Sequence, residues 1–540
     1  MHLRTRVPES DWNTVLSKAA DAGVQWGREE FTWDVIEPPE DNYSFDVYDS
    51  VVDAYDTAGV HMLGLLTYSS SWASSNPSSP DSEFYPPDIT AWTNYVNEVA
   101  TRYAGRVNTW EIWNEPNLSG FWKGSAADYA DLLQAAADAI HAANQNATVV
   151  LGGLSGADTS FLNDVYDALE SSSIIDVVAI HPYRVVGSNF NYAPESTADG
   201  LNTLTNDIYN VLAVMHAHGQ IDTPLWLTEV GWTTDSTGVS EDTQARYVLR
   251  LYSIALSIPQ VKKVFWYDMT DTSDSDYPEA HFGLLEAGTY GKKTAYDAYA
   301  FVSQHLNRRR FKDQFLPEQT SVDSFDGGRA WEFTGTQCTN GSVEQVDDEL
   351  VVNYAFTGTN NCYAPVYSGI ALPNGTRALQ FIAKGSDDDT FLRVRVTDAT
   401  GETFQYQLGY MPSRNVYYTV QLLGFASHWG GNDDGTLDQP LMFDSFVLDD
   451  TDGSFASGSV HMSQLVSSLI GNAYLYRYHK DNKDIYAYWS QASSPKAVVN
   501  LIGAGRVRVK RFQDSSTVKT SGTGLYKIRA KSFVQFLQTL

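Results

Sequence analysis

Cysteine is almost absent from these 540 residues: there are two, Cys338 and Cys362, within one short stretch. Metal centres built on Cys-x-x-Cys spacing are thereby excluded. The pair reads either as reduced thiols or as a single bridge in a secreted protein, and both readings stay open. Basic side chains are scarce too. The chain holds 36 Lys and Arg against 66 Asp and Glu, a formal net charge of −30. That balance argues against nucleic acid and anionic membranes as partners. No run is long and apolar enough to span a bilayer, and no signal peptide is visible. His-Glu-x-x-His, the P-loop and a Gly-rich dinucleotide turn are all missing, so no metal or cofactor is expected in the chemistry. The acidic segment 271–276 has the flavour of a calcium loop but lacks its ligand spacing.

Aromatic side chains, in contrast, make up 13% of the chain, with 14 Trp and 32 Tyr. Large cores use such residues, and so do sugar-binding clefts, where a flat ring covers the apolar face of a pyranose. Charge is unevenly spread: residues 318–455 carry 6 basic against 20 acidic side chains, and residues 460–540 carry 12 against 3. The pattern of elements changes along the chain as well. Up to about residue 306, short apolar runs (24–31, 60–68, 108–113, 148–153, 175–181, 225–229, 263–269) alternate with helical periodicity (92–103, 126–143, 200–218, 243–258). With a truncated first strand at residues 2–5, this predicts a (β/α)8 TIM barrel over residues 1–310. Residues 318–455 show short period-2 segments punctuated by Gly, Asn and Asp, predicting a β-sandwich or jelly roll. A helix is expected at 460–470, and strands return to the end of the chain. The predicted division is therefore 1–310, 318–455 and 456–540.

Barrel enzymes place catalytic groups where strands end, on one face. Two glutamates occupy such positions. Glu115 follows the run Thr109-Trp110-Glu111-Ile112-Trp113-Asn114, and Glu229 ends Leu225-Trp226-Leu227-Thr228. Their separation of 114 residues corresponds to about three strand–helix units of roughly 38 residues. Glu115 is thus expected to end strand 4, and Glu229 strand 7. Cleavage of a glycosidic bond needs such a pair, one carboxylic acid to protonate the leaving oxygen and one carboxylate to attack or to activate water. Asn114, beside the acid, suits a hydrogen bond to a sugar 2-hydroxyl.

The stretches Trp110-Glu111-Ile112-Trp113-Asn114-Glu115-Pro116-Asn117-Leu118-Ser119-Gly120-Phe121-Trp122, His181-Pro182-Tyr183 and Thr228-Glu229-Val230-Gly231-Trp232 carry a resemblance. Residues 23–306 resemble the catalytic barrel of glycoside hydrolase clan A. They are most similar to family 39, which includes β-xylosidases, α-L-iduronidase and bacterial exopolysaccharide glycosidases. The resemblance implies a retaining mechanism on a β-type bond, with Glu115 as acid/base and Glu229 as nucleophile. Val230-Gly231-Trp232 departs from the family's xylosidases and looks more like the exopolysaccharide glycosidases or family 5, so a family 5-like endo-glucanase or mannanase is the near alternative. A catalytically silent carbohydrate-binding protein is the alternative from another class.

The resemblance also implies that Arg28, closing a strand, keeps the nucleophile ionised. It implies that His181 and Tyr183 bond the nucleophile or substrate, and that Trp266 floors the subsite at the cleaved bond. Trp33, Tyr68, Trp72, Trp122 and Trp232 follow other strand ends and are candidate sugar platforms. Glu29, Glu30 and Glu37 lie nearby, where one could bind a sugar hydroxyl. Residues 318–455 resemble carbohydrate-binding jelly rolls around Val394-Arg395-Val396-Thr397-Asp398, His428-Trp429-Gly430-Gly431 and Phe443-Asp444-Ser445-Phe446, with Trp429 and Tyr410 as candidate binding aromatics. Many such domains hold a structural calcium. Residues 456–540 resemble the small β-sandwich of clan A enzymes, with the middle domain inserted before it. The expected partner is a polysaccharide or oligosaccharide, and the expected setting secreted or extracellular.

Overall fold

The computed structural model describes residues 6–273, 275–336, 338–358, 362–386, 390–422, 425, 427–450, 457–491, 496–500, 506–520, 525–529 and 534–539. The chain divides into two units, residues 1–194 with 218–307, and residues 195–217 with 308–540.

In the first unit the apolar runs become parallel strands, because a strand covered on both faces must be apolar on both. Eight are described: β1 (Trp26–Thr32), β2 (His61–Thr67), β3 (Thr109–Ile112), β4 (Thr148–Leu151), β5 (Leu154–Ser155), β6 (Val178–His181), β7 (Leu225–Val230) and β8 (Val261–Trp266). They form two four-stranded sheets, β1-β2-β3-β4 and β5-β6-β7-β8. A parallel bridge from Val150 to Val177 ties the two together. Every named pairing within them is parallel, for example Gly64 with Trp110 and Val178 with Leu225. Gly64 makes room for its neighbour, since a Cβ there would lie 2.6 Å from the Trp110 ring. Helices follow the strands and start on side-chain caps. Asp88 accepts from the amides of Thr90 and Ala91, Ser240 from Thr243, and Ser125 forms a capping box with Asp128. Leu63, Val150, Val177, Ala179, Trp226 and Phe265 close one buried cluster. The unit is TIM-barrel-like. The strand expected at residues 2–5 lies outside the described residues.

The second unit is β-rich. One sheet runs Thr339–Val346, Glu349–Phe356, Ser457–Ser468, Ala378–Gly385, Val416–Gln421. A second runs Glu332–Phe333, Cys362–Ala371, Met442–Asp450, Phe391–Thr397, Glu402–Tyr410, Ser427–Gly430. Their inner faces meet, with Phe381 of one edge-on to Phe446 of the other at 4.9 Å. Cys338 and Cys362 form a disulfide. A third sheet holds Asp514–Thr520, Arg506–Arg511, Gln535–Thr539, Lys483–Ser490, Ala473–Lys480 and Arg310–Phe315.

Two expectations are corrected here. The segment expected to be helical at 460–470 is the strand Ser457–Ser468, paired with Glu349–Phe356 and Ala378–Gly385. Gln464 adopts a left-handed φ of 58° at a register shift. The bulge moves the buried positions from Val460 and Met462 to Leu465, a spacing that imitates a helical face. The same strand places the boundary past residue 468 rather than at 455. Moreover, Arg310–Phe315, which precede the middle sheets, pair with Ala473–Lys480, which follow them, so the middle sheets interrupt the last one. Residues 195–217, including the helix Leu204–Ala217, also belong to this unit. There Asn210 Oδ1 accepts from the Tyr410 amide at 2.8 Å, and Glu195 accepts from the Trp489 indole at 2.9 Å.

Candidate active site

Arg28 stands on β1 and is buried, and a buried guanidinium must spend its donors on partners. Its Nε donates to Glu111 Oε2 at 2.5 Å, one Nη to Glu229 Oε1, and the other Nη to Asn114 Oδ1 at 2.9 Å. One cation thus joins the second strand-end glutamate, a carboxylate inside β3, and the amide preceding Glu115. Tyr183 completes the surroundings of Glu229, donating its hydroxyl to Oε2 at 2.9 Å. Burial alone would push the Glu229 carboxyl up. His181, the Arg28 guanidinium and the Tyr183 hydroxyl outweigh it, and the group is held below its ordinary value.

Glu115 has a different partner. His181, fully buried at the end of β6, brings Nδ1 to 2.9 Å from Glu115 Oε1, and its Nε2 lies 3.1 Å from Thr228 Oγ1. The Thr228 hydroxyl donates its single proton to Glu111 Oε1 at 3.0 Å. It therefore accepts from His181, and Nε2 carries a hydrogen. One further proton is then shared between Nδ1 and Glu115. The same Nδ1 lies 3.9 Å from Glu229 Oε2, so these two carboxyl oxygens are separated by no more than the sum of 2.9 and 3.9 Å. Both glutamates face one imidazole.

The backbone around Glu115 is strained to achieve this. Trp113 and Glu115 take left-handed φ values of 71° and 44°, each costing about 1–3 kcal/mol for a non-glycine residue. The Trp113 amide is held by Leu66 O at 3.1 Å, and the Glu115 amide by Gly153 O at 3.0 Å. Gly153 also donates its amide to Glu111 Oε1 at 2.9 Å. A Cβ on it would overlap the His181 ring and stand 2.6 Å from Thr228 Oγ1, so only glycine lets the β6 and β7 side chains close over Glu111.

Along one side, Tyr183 packs against Tyr267 and Phe282. The Tyr267 hydroxyl donates to Glu279 Oε2 at 2.8 Å and is met by Arg6, whose other Nη donates to the Glu279 carbonyl at 3.2 Å. Burial holds the Glu279 carboxyl above its ordinary value. Trp266 stacks on Trp232 at 5.9 Å and donates its indole N–H to Phe282 O at 3.1 Å.

Of the sequence-predicted residues, the structure brings Arg28, Asn114, Glu115, His181, Tyr183 and Glu229 into one hydrogen-bonded cluster. Trp266 is 7% exposed, and Trp72 is half-buried. The reading of Trp33, Trp122 and Trp232 as sugar platforms is corrected, since each is at most 2% exposed and has no face to offer. Trp33 stacks on Tyr95, Trp122 packs edge-on against Trp113, and Trp232 donates to Tyr192 O. A strand-end position does not say into which layer a ring turns. Glu37 is structural, accepting from the Trp33 indole at 2.7 Å and the Asp41 amide at 2.8 Å. Sequence reasoning missed Glu111, Thr228, Gly153, Tyr267, Arg6 and Glu279. For Glu111 a signal existed, a charged residue inside an otherwise apolar strand.

One group of side chains in the second unit that could hold a cation does not suit the structural calcium expected of a jelly roll. Glu402, His428 and Asp433 converge in the second unit. However, the Glu402 carboxylate already meets His428 and the amides of Asp434 and Gly435, and an imidazole is a poor ligand for an oxygen-seeking cation.

Comparison with known proteins places the chain among glycoside hydrolases. A β-xylosidase of Geobacillus stearothermophilus is 23% identical over 298 residues, which are 50% of this chain and 58% of that protein; the chain thus spans little more than half of this relative. Solved structures that align with it include a family 39 glycoside hydrolase from Bacteroides cellulosilyticus (20% identity, 84% of this chain and 78% of that one, TM-score 0.49). A monomeric β-xylosidase from Caulobacter crescentus also aligns (15% identity, 85% and 93%, TM-score 0.43). The sequence profile of glycosyl hydrolases family 39 matches residues 37–312, half of the chain. Glu115 and Glu229 both lie inside that match, and the chain belongs to glycosyl hydrolases family 39.

Proposed function

We propose that the protein is a retaining glycoside hydrolase, built on a (β/α)8 barrel and cleaving β-glycosidic bonds of an oligosaccharide or polysaccharide outside the cytosol. The observation that carries this reading is the unequal treatment of two glutamates that share one imidazole. Glu229 is held ionised by Arg28 and Tyr183, as a nucleophile must be. Glu115 shares a proton with His181, as an acid that donates and later recovers one requires. Glu115 protonates the leaving oxygen while Glu229 attacks the anomeric carbon. Glu115 then takes a proton from water as that water releases the sugar. Asn114, oriented by Arg28, serves the 2-hydroxyl, Tyr183 keeps the Glu229 carboxylate aimed, and Trp266 and Trp72 offer apolar surface to sugar rings. The reaction draws on no group beyond these side chains. The Cys338–Cys362 bridge supports an extracellular setting, and the middle sheets act as an accessory carbohydrate-binding domain.

The test is proton NMR of early product from a panel of 4-nitrophenyl β-glycosides. The β-anomer of the sugar should appear first and then mutarotate. First release of the α-anomer would overturn retention, and no turnover of any member would leave only a binding role.

A further inference from the structure

Alternation along Phe391–Thr397 buries Val394 and Val396 in the sandwich and turns Arg393 and Arg395 outward. On that outer face lies a cavity of about 640 Å3 lined by these two arginines with Tyr363, Gln405, Trp429, Asp449 and Asp450. Arg393 is paired with Asp449 at 2.7 Å. Arg395 forms no ion pair with a described carboxylate, although Asp449 feels its charge as well as that of Arg393. Its guanidinium lies 5.2 Å from the Trp429 ring centroid and 5.3 Å from that of Tyr363, and Nε donates to Gln405 Oε1 at 2.9 Å. The surroundings make this notable, because residues 318–455 have 6 Lys and Arg against 20 Asp and Glu. In so acidic a segment two of the six cations open into one cavity, beside the carboxylates of Asp449 and Asp450, and the one between the rings forms no ion pair among the described residues. Two aromatic faces and a glutamine hold that guanidinium flat, leaving its Nη donors as a planar fork that matches a carboxylate. Trp429 is 41% exposed, an open indole beside the fork that suits the apolar face of a sugar ring.

We propose that this cavity binds an acidic saccharide, a glycan whose uronic acid carboxylate pairs with Arg395 while a sugar ring lies against Trp429. A neutral glycan could use the indole but would leave the guanidinium fork of Arg395 unmatched. Tyr410, the other aromatic singled out in the sequence, takes no part. Its amide is bonded to Asn210 and its ring packs edge-on against Phe391. The inference concerns binding alone and does not rest on the reaction at Glu115 and Glu229.

Isothermal titration calorimetry of the full chain carrying Glu229→Gln, which prevents cleavage, tests it. The probes are tri-galacturonate and xylotriose bearing a methylglucuronate, each beside its carboxyl-reduced form of the same shape. At least one acidic probe should bind at least about tenfold more tightly than its reduced form. Arg395→Gln and Trp429→Ala should each weaken that binding at least about tenfold without changing the melting temperature, and Arg395→Lys should recover only part of it. Three results would overturn the proposal: no binding of either acidic probe, equal binding of acidic and reduced forms, or binding that ignores both substitutions.

Discussion

Replacing Gly153 by alanine adds one methyl group, and the structure says where it must go. The new Cβ overlaps the His181 ring at Nε2, stands 2.6 Å from its Cδ2, and stands 2.6 Å from Thr228 Oγ1. Non-bonded carbon needs about 3.5 Å, so the imidazole has to retreat by about 1 Å. His181 and Thr228 are both buried, and Glu115 and Glu111 sit at the far ends of their hydrogen bonds. Overpacking of this kind costs about 1–3 kcal/mol. The larger effect falls on turnover. A retreat of that size lengthens either the bond to Thr228 or the one that shares a proton with Glu115, and a misplacement of about 1 Å costs roughly 100-fold in rate. Steady-state kinetics on an aryl β-glycoside, with melting curves alongside, reads both numbers. Gly105→Ala is the control. It has a left-handed φ of 84° and open space around a Cβ, so it should lose stability but keep kcat/KM. His181→Ala should remove most of the activity by itself and little more in the Gly153→Ala background, because both act through one ring. The reasoning fails if Gly153→Ala keeps kcat/KM within about twofold of the parent, or if Gly105→Ala loses as much.

Arg28→Lys replaces a three-way fork with a point charge. Glu229, depressed in the folded state, contributes stability above its unfolded value of 4.5 and loses it as pH falls through the folded value. In the lysine variant the acid limb of kcat/KM should therefore move up in pH and stability near neutrality should fall; an unmoved limb would separate Arg28 from Glu229. Glu115→Gln should slow substrates with poor leaving groups by about 100- to 10,000-fold while sparing dinitrophenyl glycosides, which need no protonation, and equal losses on both would remove Glu115 as the acid. Cys338→Ser opens a loop of 24 residues, which should cost about 3 kcal/mol in the second unit's unfolding and leave hydrolysis of aryl glycosides unchanged, as calorimetry and kinetics would show.

Much of this organisation was legible because strand-end position and chemistry coincide. Glu115 and Glu229 follow or close apolar runs, and parallel strands bring such ends together whatever the loops between them do; Arg28, expected to close its strand, stands inside β1. Legibility stopped where a role depends on a meeting of side chains far apart in sequence. Thr228 looks like an ordinary strand threonine until Glu111, 117 residues earlier, accepts its proton. Gly153 looks like a turn glycine until the His181 ring fills its missing side chain. The aromatic residues failed for a related reason: Trp33 and Trp72 pack edge-on against each other, yet only Trp72 keeps an exposed part. In the second unit, one bulge at Gln464 was enough to make a central strand read as a helix. The insertion of the middle sheets was visible only as a possibility, because β-pairing between residues 310–315 and 473–480 leaves no local mark.

The formal charges of the cluster do not cancel. Arg28 carries one positive charge, and Glu111 and Glu229 one negative charge each. The His181–Glu115 pair is neutral in sum wherever its shared proton lies. The buried cluster therefore holds one surplus negative charge, beside Glu229. Such a surplus is expensive in the resting protein, but it faces a sugar whose transition state is oxocarbenium-like and positive. At an effective dielectric of about 20, a cation at about 4 Å gains roughly 4 kcal/mol; screening by the remaining water reduces that to a preference of about ten- to a hundredfold in affinity. A protonated iminosugar should then bind more tightly by that factor than the neutral carbocycle of the same shape, measured by inhibition at pH 7. Glu229→Gln removes the surplus and should abolish most of the preference, whereas Glu279→Gln, farther along the wall, should reduce it less. Equal affinity for the two inhibitors in the unsubstituted protein would mean that the surplus charge is absent, and with it the reason for pairing one arginine with two carboxylates.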